Sequence, residues 1–215
     1  MDEFEAERNL MVETQLARRD IRDPRVLDAM RTVPRHLFVP ENQVRYAYDD
    51  RPLPIPGGQT ISQPYIVAFM AEQARIETDA RVLEIGTGSG YAAAVLGSLA
   101  ARVYTIERHA ELAETARERL AAAGATNVKV MTGDGTRGLP VEAPFDAILA
   151  TASGPDVPKP LVEQLTEGGR LVMPVERRFG HQQLVVVQRT DEGYEEEAVL
   201  GVAFVPLIGE YGHPE

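Results

Sequence analysis

The stretch "VLEIGTGSGY", residues 82–91, decides the fold of this 215-residue chain. Its apolar first half predicts a buried strand, and its glycines predict a turn that opens the Ala-rich helix after it. Ligands of open α/β sheets bind at such turns, where glycines let a ligand approach the backbone closely. We therefore expect a ligand-binding loop, against the alternative of a tight turn without a ligand, at Gly86, Thr87, Gly88, Ser89 and Gly90.

Outward from this stretch, strand patterns alternate with helix patterns. Strands are predicted at residues 81–85, 102–106, 127–131, 145–151 and 170–175, and helices at 91–101, 109–124 and 158–165. Such alternation is typical of a parallel sheet with helices on both faces. Two more strand patterns, at 182–190 and 195–207, have no helix between them and predict an antiparallel pair at the sheet edge. The predicted class is α/β, a Rossmann-like doubly wound sheet that is mostly parallel.

The N-terminal third has a different character. Residues 22–33 carry apolar side chains at helical spacing, and five prolines between residues 34 and 56 then exclude a continuous helix. We expect one domain, in which residues 1–64 form a helical arm with a substrate loop. Residues 65–215 would form the α/β core and its C-terminal strands.

The glycine spacing narrows the choice of ligand. The dinucleotide fingerprint is G-x-G-x-x-G, whereas this loop reads G-x-G-x-G, and Tyr91 stands where the third fingerprint glycine would fall. This spacing argues against a nicotinamide cofactor and leaves a dehydrogenase as the least favoured function.

Acidic residues mark three successive strand ends. Glu107 ends the second strand, where a carboxylate can accept both hydroxyls of a ribose. Glu84 stands just before the glycine loop and could face a cationic group. Asp134, with Gly135 beside it, follows the third strand and is placed to reach an adenine edge. Each carboxylate alone would be read as solvated or capping, but together they outline a site for a cationic, adenosine-bearing ligand without phosphate.

S-adenosylmethionine fits that description, and the loop with its downstream acid resembles the first motif of Rossmann-like methyltransferases. "PFDAILAT" and "LTEGGRLVMPV" are similar to later motifs of that class. Outside the core, "IRDPRVLDAMRTVPRHLFVP", "AYDDRPLPIPGGQTISQP" and "FVPLIG" resemble protein-L-isoaspartate O-methyltransferases. With the core motifs, this likeness spans nearly the whole chain.

The resemblance implies methylation of L-isoaspartyl residues in damaged proteins and peptides, with S-adenosylmethionine as the cofactor. It implies that Ser62 holds the substrate carboxylate, and that Gln59, Thr60 and Ile61 line the junction with the cofactor. The alternative for Ser62 is a capping serine at the start of a following helix. Two other functions stay open: methylation of a small-molecule acid or phenol, and cofactor binding without turnover.

Composition excludes several other kinds of chemistry. The chain has no Cys, so thiolate nucleophiles and Cys-ligated metals are excluded, and we expect no metal site. Its net charge of −11 repels phosphate backbones and argues against nucleic acid as a partner. No apolar run is long enough to span a bilayer, and the acidic N-terminus lacks the pattern of a signal peptide. We expect a cytoplasmic monomer with no membrane partner.

Overall fold

The computed structural model describes residues 3–214 and contains a seven-stranded sheet and a separate two-stranded hairpin. The first half of the chain forms α1 (Glu5–Met11), α2 (Pro24–Thr32), β1 (Leu53–Ile55), β2 (Gln59–Ile61), α3 (Pro64–Ala74), β3 (Arg81–Ile85), α4 (Tyr91–Leu99) and β4 (Arg102–Glu107). The second half forms α5 (Ala110–Ala122), β5 (Val128–Thr132), β6 (Phe145–Ala150), α6 (Lys159–Glu163), β7 (Leu165–Glu176), β8 (Gln182–Thr190) and β9 (Gly193–Val202).

The large sheet has the order β5-β4-β3-β6-β7-β8-β9. Strands β3 to β7 pair in parallel, and β8 and β9 add antiparallel pairs at one edge. The chain runs outward from β3 through β4 to β5 and then returns to the other side of β3 with β6. The strand order therefore reverses at β3, which is where open α/β sheets bind ligands. The predicted doubly wound sheet with an antiparallel C-terminal edge is confirmed.

Helices and the N-terminal segment cover the two faces of the sheet. Val82 and Leu83 are neighbours on β3 but belong to different buried clusters, because successive side chains of a strand point to opposite faces. The cluster with Val82 includes Leu96 of α4 and Met30 of α2, so the N-terminal arm shares a core with the sheet. The cluster with Leu83 includes Leu161 of α6.

Several element boundaries differ from the sequence prediction. β7 begins at Leu165 and includes the predicted turn, because its pairing with β6 shifts register between Phe145 and Ala147. β9 ends at Val202, so the last residues of the predicted strand lie outside it. The hairpin of β1 and β2 was not predicted; it pairs Leu53 with Ile61 across a turn at two glycines.

Candidate active site

The glycine loop lies at the point where the strand order reverses. The backbone N–H groups of Gly86 and Thr87 donate to the carbonyl of Ile106 at the end of β4, at 2.8 and 3.3 Å. Gly86 has φ +92°, and a Cβ atom there would lie 2.5 Å from Oγ1 of Thr151. The Thr151 hydroxyl donates to the carbonyl of Gly86 at 2.7 Å. The loop is thus held by both neighbours of β3, and only glycine fits its first position.

A cavity of about 360 Å³ opens above this loop. The sequence-predicted residues that line it are Gln59, Thr60, Ile61, Ser62, Gly86, Thr87, Gly88, Ser89, Glu107 and Gly135. Three predicted residues, Glu84, Gly90 and Asp134, are not among its lining residues. The structure therefore brings most of the predicted site together around one space.

Glu107 is oriented by backbone groups on both sides. One of its carboxylate oxygens accepts from the N–H of Gly88 at 2.9 Å, and the other accepts from the N–H of His109 at 3.0 Å. Each oxygen keeps a second acceptor position, since an ionised carboxylate accepts about four hydrogen bonds. The carboxylate is therefore fixed in place and can still accept the two hydroxyls of a ribose.

Glu84 lies beneath the loop and not in the cavity. Its side chain is fully buried; one oxygen accepts from the Thr105 hydroxyl at 2.5 Å, and the other has no hydrogen-bond partner among the described residues. The Thr105 hydroxyl also shares a hydrogen bond of 2.6 Å with that of Thr87, which lines the cavity. Burial raises the pKa of Glu84 to about 8, although the Thr105 bond favours the carboxylate; the charge of Glu107 raises it further.

Asp134 points towards the C-terminal segment. Its oxygens accept from the backbone and hydroxyl of Thr136, at 2.9 and 2.6 Å, and from the N–H of Glu210 at 2.9 Å. Partial burial opposes ionisation, but the hydrogen bonds from Glu210 and Thr136 outweigh it and hold the pKa of Asp134 below its usual value. Three of its acceptor positions are thus used inside the protein, and Nε of Arg137 lies 3.7 Å from the oxygen that accepts from Glu210.

Ser62 lies between the hairpin and helix α3. The helix begins at Pro64, and its N-cap residue is Gln63, which makes no side-chain capping bond. Ser62 is therefore not the capping residue, and the capping interpretation is wrong. Among residues 3–214, its hydroxyl has no hydrogen-bond partner, so the O–H remains available to a ligand.

A second cavity, of about 890 Å³, adjoins the first. The residues that line both are Thr60, Ser62, Thr151 and Val205. The sequence predicts that residues 150–158, after the fourth strand, form another wall of the peptide site, and Thr151 is the residue of that stretch that lines this cavity. Val205 lies in the "FVPLIG" motif, for which no site residue was predicted. Arg108 and His109 also line the first cavity, although neither is among the residues that the sequence predicted for the site. Their position directly after Glu107 in the sequence is the signal that could have identified them as residues of the site.

The acceptor groups around the cavity suit the hydroxyls of a sugar. Glu107 offers two acceptor oxygens to hydroxyls, and the glycine loop exposes its backbone to the cavity. The oxygen of Glu84 without a partner in the described part of the chain lies beneath the loop and not in the cavity. Within the described residues, no cluster of three or more His, Asp or Glu side chains has the arrangement of a metal site. No helix between residues 3 and 214 has the length and apolar character needed to cross a bilayer.

Comparisons with a family model, with related sequences and with solved structures all identify the same family. Residues 6–212 match the family model of protein-L-isoaspartate(D-aspartate) O-methyltransferases. A protein-L-isoaspartate O-methyltransferase from Methanoculleus marisnigri is 57% identical over 212 residues, which cover 98% of this chain and 96% of the relative. The corresponding protein from Methanoregula boonei is 58% identical over 206 residues, covering 96% and 94% of the two chains.

Two solved structures share the fold over nearly the whole chain. One is a protein-L-isoaspartate O-methyltransferase with a TM-score of 0.86 and 27% identity, covering 97% of this chain and 67% of that one. The other is a Plasmodium falciparum protein described as a beta-aspartate methyltransferase, in complex with S-adenosyl-L-homocysteine. Its TM-score is 0.81 at 26% identity, and the match covers 94% of this chain and 98% of that one.

Proposed function

The chain belongs to the protein-L-isoaspartate(D-aspartate) O-methyltransferase family, and on that basis we propose the roles of its residues in methyl transfer. It methylates isoaspartyl residues of damaged proteins with S-adenosylmethionine, which supplies an electrophilic methyl group when bound. The family resemblance inferred from the sequence is confirmed.

Ser62 orients the substrate carboxylate. The observation that carries this role is that Ser62 lines both cavities and has a hydroxyl without a partner among the described residues. The smaller cavity takes the cofactor, and the larger one takes the peptide. A hydrogen bond from the Ser62 hydroxyl to one carboxylate oxygen leaves the other oxygen facing the smaller cavity.

The enzyme needs no general base for this reaction. A carboxyl group with a pKa near 4 is already ionised at pH 7, so no proton has to be removed from the nucleophile. The protein therefore contributes orientation, which is worth up to about 7 to 11 kcal/mol in favourable cases. Thr60 and Thr151 line both cavities, as Ser62 does. These three side chains therefore border the passage between the cofactor and the peptide.

The cofactor is held by the loops at the strand ends. Glu107 accepts hydrogen bonds from the ribose hydroxyls. The glycine loop of residues 86–90 lets the cofactor approach the backbone closely, and Gly90 packs against Ala116 and Leu120 of α5. Asp134 and Gly135 hold the adenine edge. Glu84 supports the loop from beneath through the hydroxyls of Thr105 and Thr87. The side of the hairpin that faces the cofactor consists of Gln59, Thr60 and Ile61.

The partners we propose are isoaspartyl peptides and proteins, met by a cytoplasmic monomer that forms one domain. The net charge of −11 opposes binding to nucleic acids and to anionic membranes. The N-terminal arm shares its core with the sheet, which supports one folding unit.

A paired peptide assay with labelled cofactor tests these roles. The wild-type protein should methylate an isoaspartyl peptide and leave its normal aspartyl isomer unlabelled; equal labelling, or preference for a small acid, would overturn the proposed substrate. Ser62→Ala should lower kcat/KM about 10- to 100-fold, since a hydrogen bond to a charged group is worth about 1.5 to 3 kcal/mol. Ser62→Thr keeps the hydroxyl and is the matched control. Loss of cofactor affinity in Ser62→Ala, with turnover of bound substrate unchanged, would contradict the role.

A further inference from the structure

The turn between β7 and β8 carries an unusual residue at its tip. Arg178, Phe179 and Gly180 form the turn, which the N–H of Arg177 closes by donating to the carbonyl of His181 at 2.7 Å. Phe179 has φ +64° and is 95% exposed. A bulky residue in the left-handed region is strained, and Asn, Asp or Gly is the usual choice in such turns. An exposed ring in a strained turn contributes nothing evident to folding, so the outlier calls for a functional explanation.

The turn forms part of the wall of the larger cavity. Gly180 and His181, which follow Phe179, line the same cavity as Ser62 and Thr151. A peptide that presents its isoaspartyl residue to Ser62 therefore lies against this hairpin. Phe179 directly precedes these two lining residues in the chain, and its exposed ring does not itself line the cavity.

The wall beside the turn is held in place. The side-chain amide of Gln182 donates to the carbonyl of Phe204 at 3.1 Å and accepts from its N–H at 2.6 Å. This pair of hydrogen bonds ties the start of β8 to the segment after β9. The turn that carries Phe179 is therefore attached to a segment that is held in place by hydrogen bonds.

The lining of the larger cavity suits an uncharged peptide segment. Its residues include no Asp, Glu, Lys or Arg, although the chain as a whole has a net charge of −11. Apart from His181, its polar side chains are amides and hydroxyls, and its other residues are Gly, Pro or apolar. Such a surface distinguishes peptides by their apolar side chains and their backbone, not by their charge.

We propose that Phe179 determines substrate preference by packing on an apolar or aromatic side chain that flanks the isoaspartyl residue. This proposal rests on the proposed function, because it takes the occupant of the larger cavity to be the peptide that reacts at Ser62. Aromatic pairs gain energy beyond the area they bury, so an aromatic flanking residue should be favoured most.

A set of short isoaspartyl peptides tests the proposal. Each peptide carries Phe or Ser at one position within three residues of the isoaspartyl residue, and kcat/KM is measured for every pair. The wild-type protein should favour Phe about fivefold at one position. In Phe179→Ala and Phe179→Gly, the rate with the Phe peptide should fall to that with the Ser peptide, so that the preference vanishes. Tyr194→Ala is the matched control, because Tyr194 is also exposed but lies at the start of β9, opposite the end of β8 that is far from the turn.

Two further measurements separate a specific role from a structural one. Phe179→Gly relieves the positive φ, so its melting temperature should equal or exceed that of the wild-type protein. Binding of the fluorescent Phe and Ser peptides, measured without turnover, should show the same preference and the same loss. A preference that survives in Phe179→Ala, or one that Tyr194→Ala also removes, would overturn the proposal. Absence of any methylation of isoaspartyl peptides by the wild-type protein would instead overturn the proposed function.

Discussion

Replacing Glu84 with Gln should change how the free energy of unfolding depends on pH. Glu84 is fully buried, and burial raises its pKa to about 8 from an ordinary value of 4.5. The folded protein therefore keeps a proton on Glu84 at pH values where the unfolded chain has lost it. Gln cannot titrate, so Glu84→Gln removes this difference between the two states.

The sign and size of the effect follow from proton linkage. A carboxyl group whose folded pKa is raised contributes full stability below pH 4.5 and loses it as the pH rises towards 8. For pKa values of 4.5 and about 8, the contribution of Glu84 to the free energy of unfolding falls by roughly 2 to 3 kcal/mol between pH 5 and pH 7. The stability of Glu84→Gln relative to wild type should rise by this amount over the same interval.

Urea unfolding at pH 5, 6 and 7, at constant ionic strength and without cofactor, measures the effect. Only the change in the difference between the two proteins counts, because the cost of fitting an amide beside Thr105 does not depend on pH. Glu118→Gln, at an exposed position on α5, controls for the loss of one charge. A difference between Glu84→Gln and wild type that stays constant from pH 5 to pH 7 would refute the reasoning.

Three other substitutions test the cofactor site. Gly86→Ala should destabilise the protein by about 1 to 3 kcal/mol more than Gly124→Ala in urea unfolding, because both positions have positive φ but only Gly86 would clash, with Thr151. Equal losses would contradict the close approach. Glu107→Gln should weaken cofactor binding about 10- to 100-fold in calorimetry and weaken binding of an analogue without ribose hydroxyls much less. Asp134→Asn should speed amide hydrogen exchange in the C-terminal segment that it holds; unchanged exchange would show that its hydrogen bonds do not anchor that segment.

The sequence predicted those parts of the fold whose signals are local. An apolar run that ends in glycines identifies β3 and its loop, and Glu107 marks the end of β4 in the same way. Because the carboxyl ends of parallel strands meet at one edge, these local signals also predicted which side chains would surround the cavity. Gly86 and Glu107 both line the cavity, because backbone hydrogen bonds fix the position of each.

Long-range contacts account for what the sequence did not reveal. Asp134 accepts a hydrogen bond from Glu210, which is 76 residues further along the chain, and no local pattern announces that pairing. The hairpin of β1 and β2 has strands of three residues with prolines beside them, so it lacks the alternation that indicates a strand. Its pairing depends on burial of Leu53 and Ile61 against the core.

The role of Ser62 depends on a boundary that the sequence leaves ambiguous by one residue. A serine before "QPYIVAFM" can either cap the helix or lie outside it, and the sequence alone is compatible with both positions. Because α3 begins at Pro64 and Gln63 takes the N-cap position, Ser62 is not recruited to the helix end. Pairing of Ile61 with Leu53 fixes the residue before it, and the start of α3 fixes the residues after it. The backbone of Ser62 is therefore held on both sides, and its hydroxyl is free to donate a hydrogen bond to a ligand. The role that we propose for Ser62, orienting a carboxylate, requires both conditions.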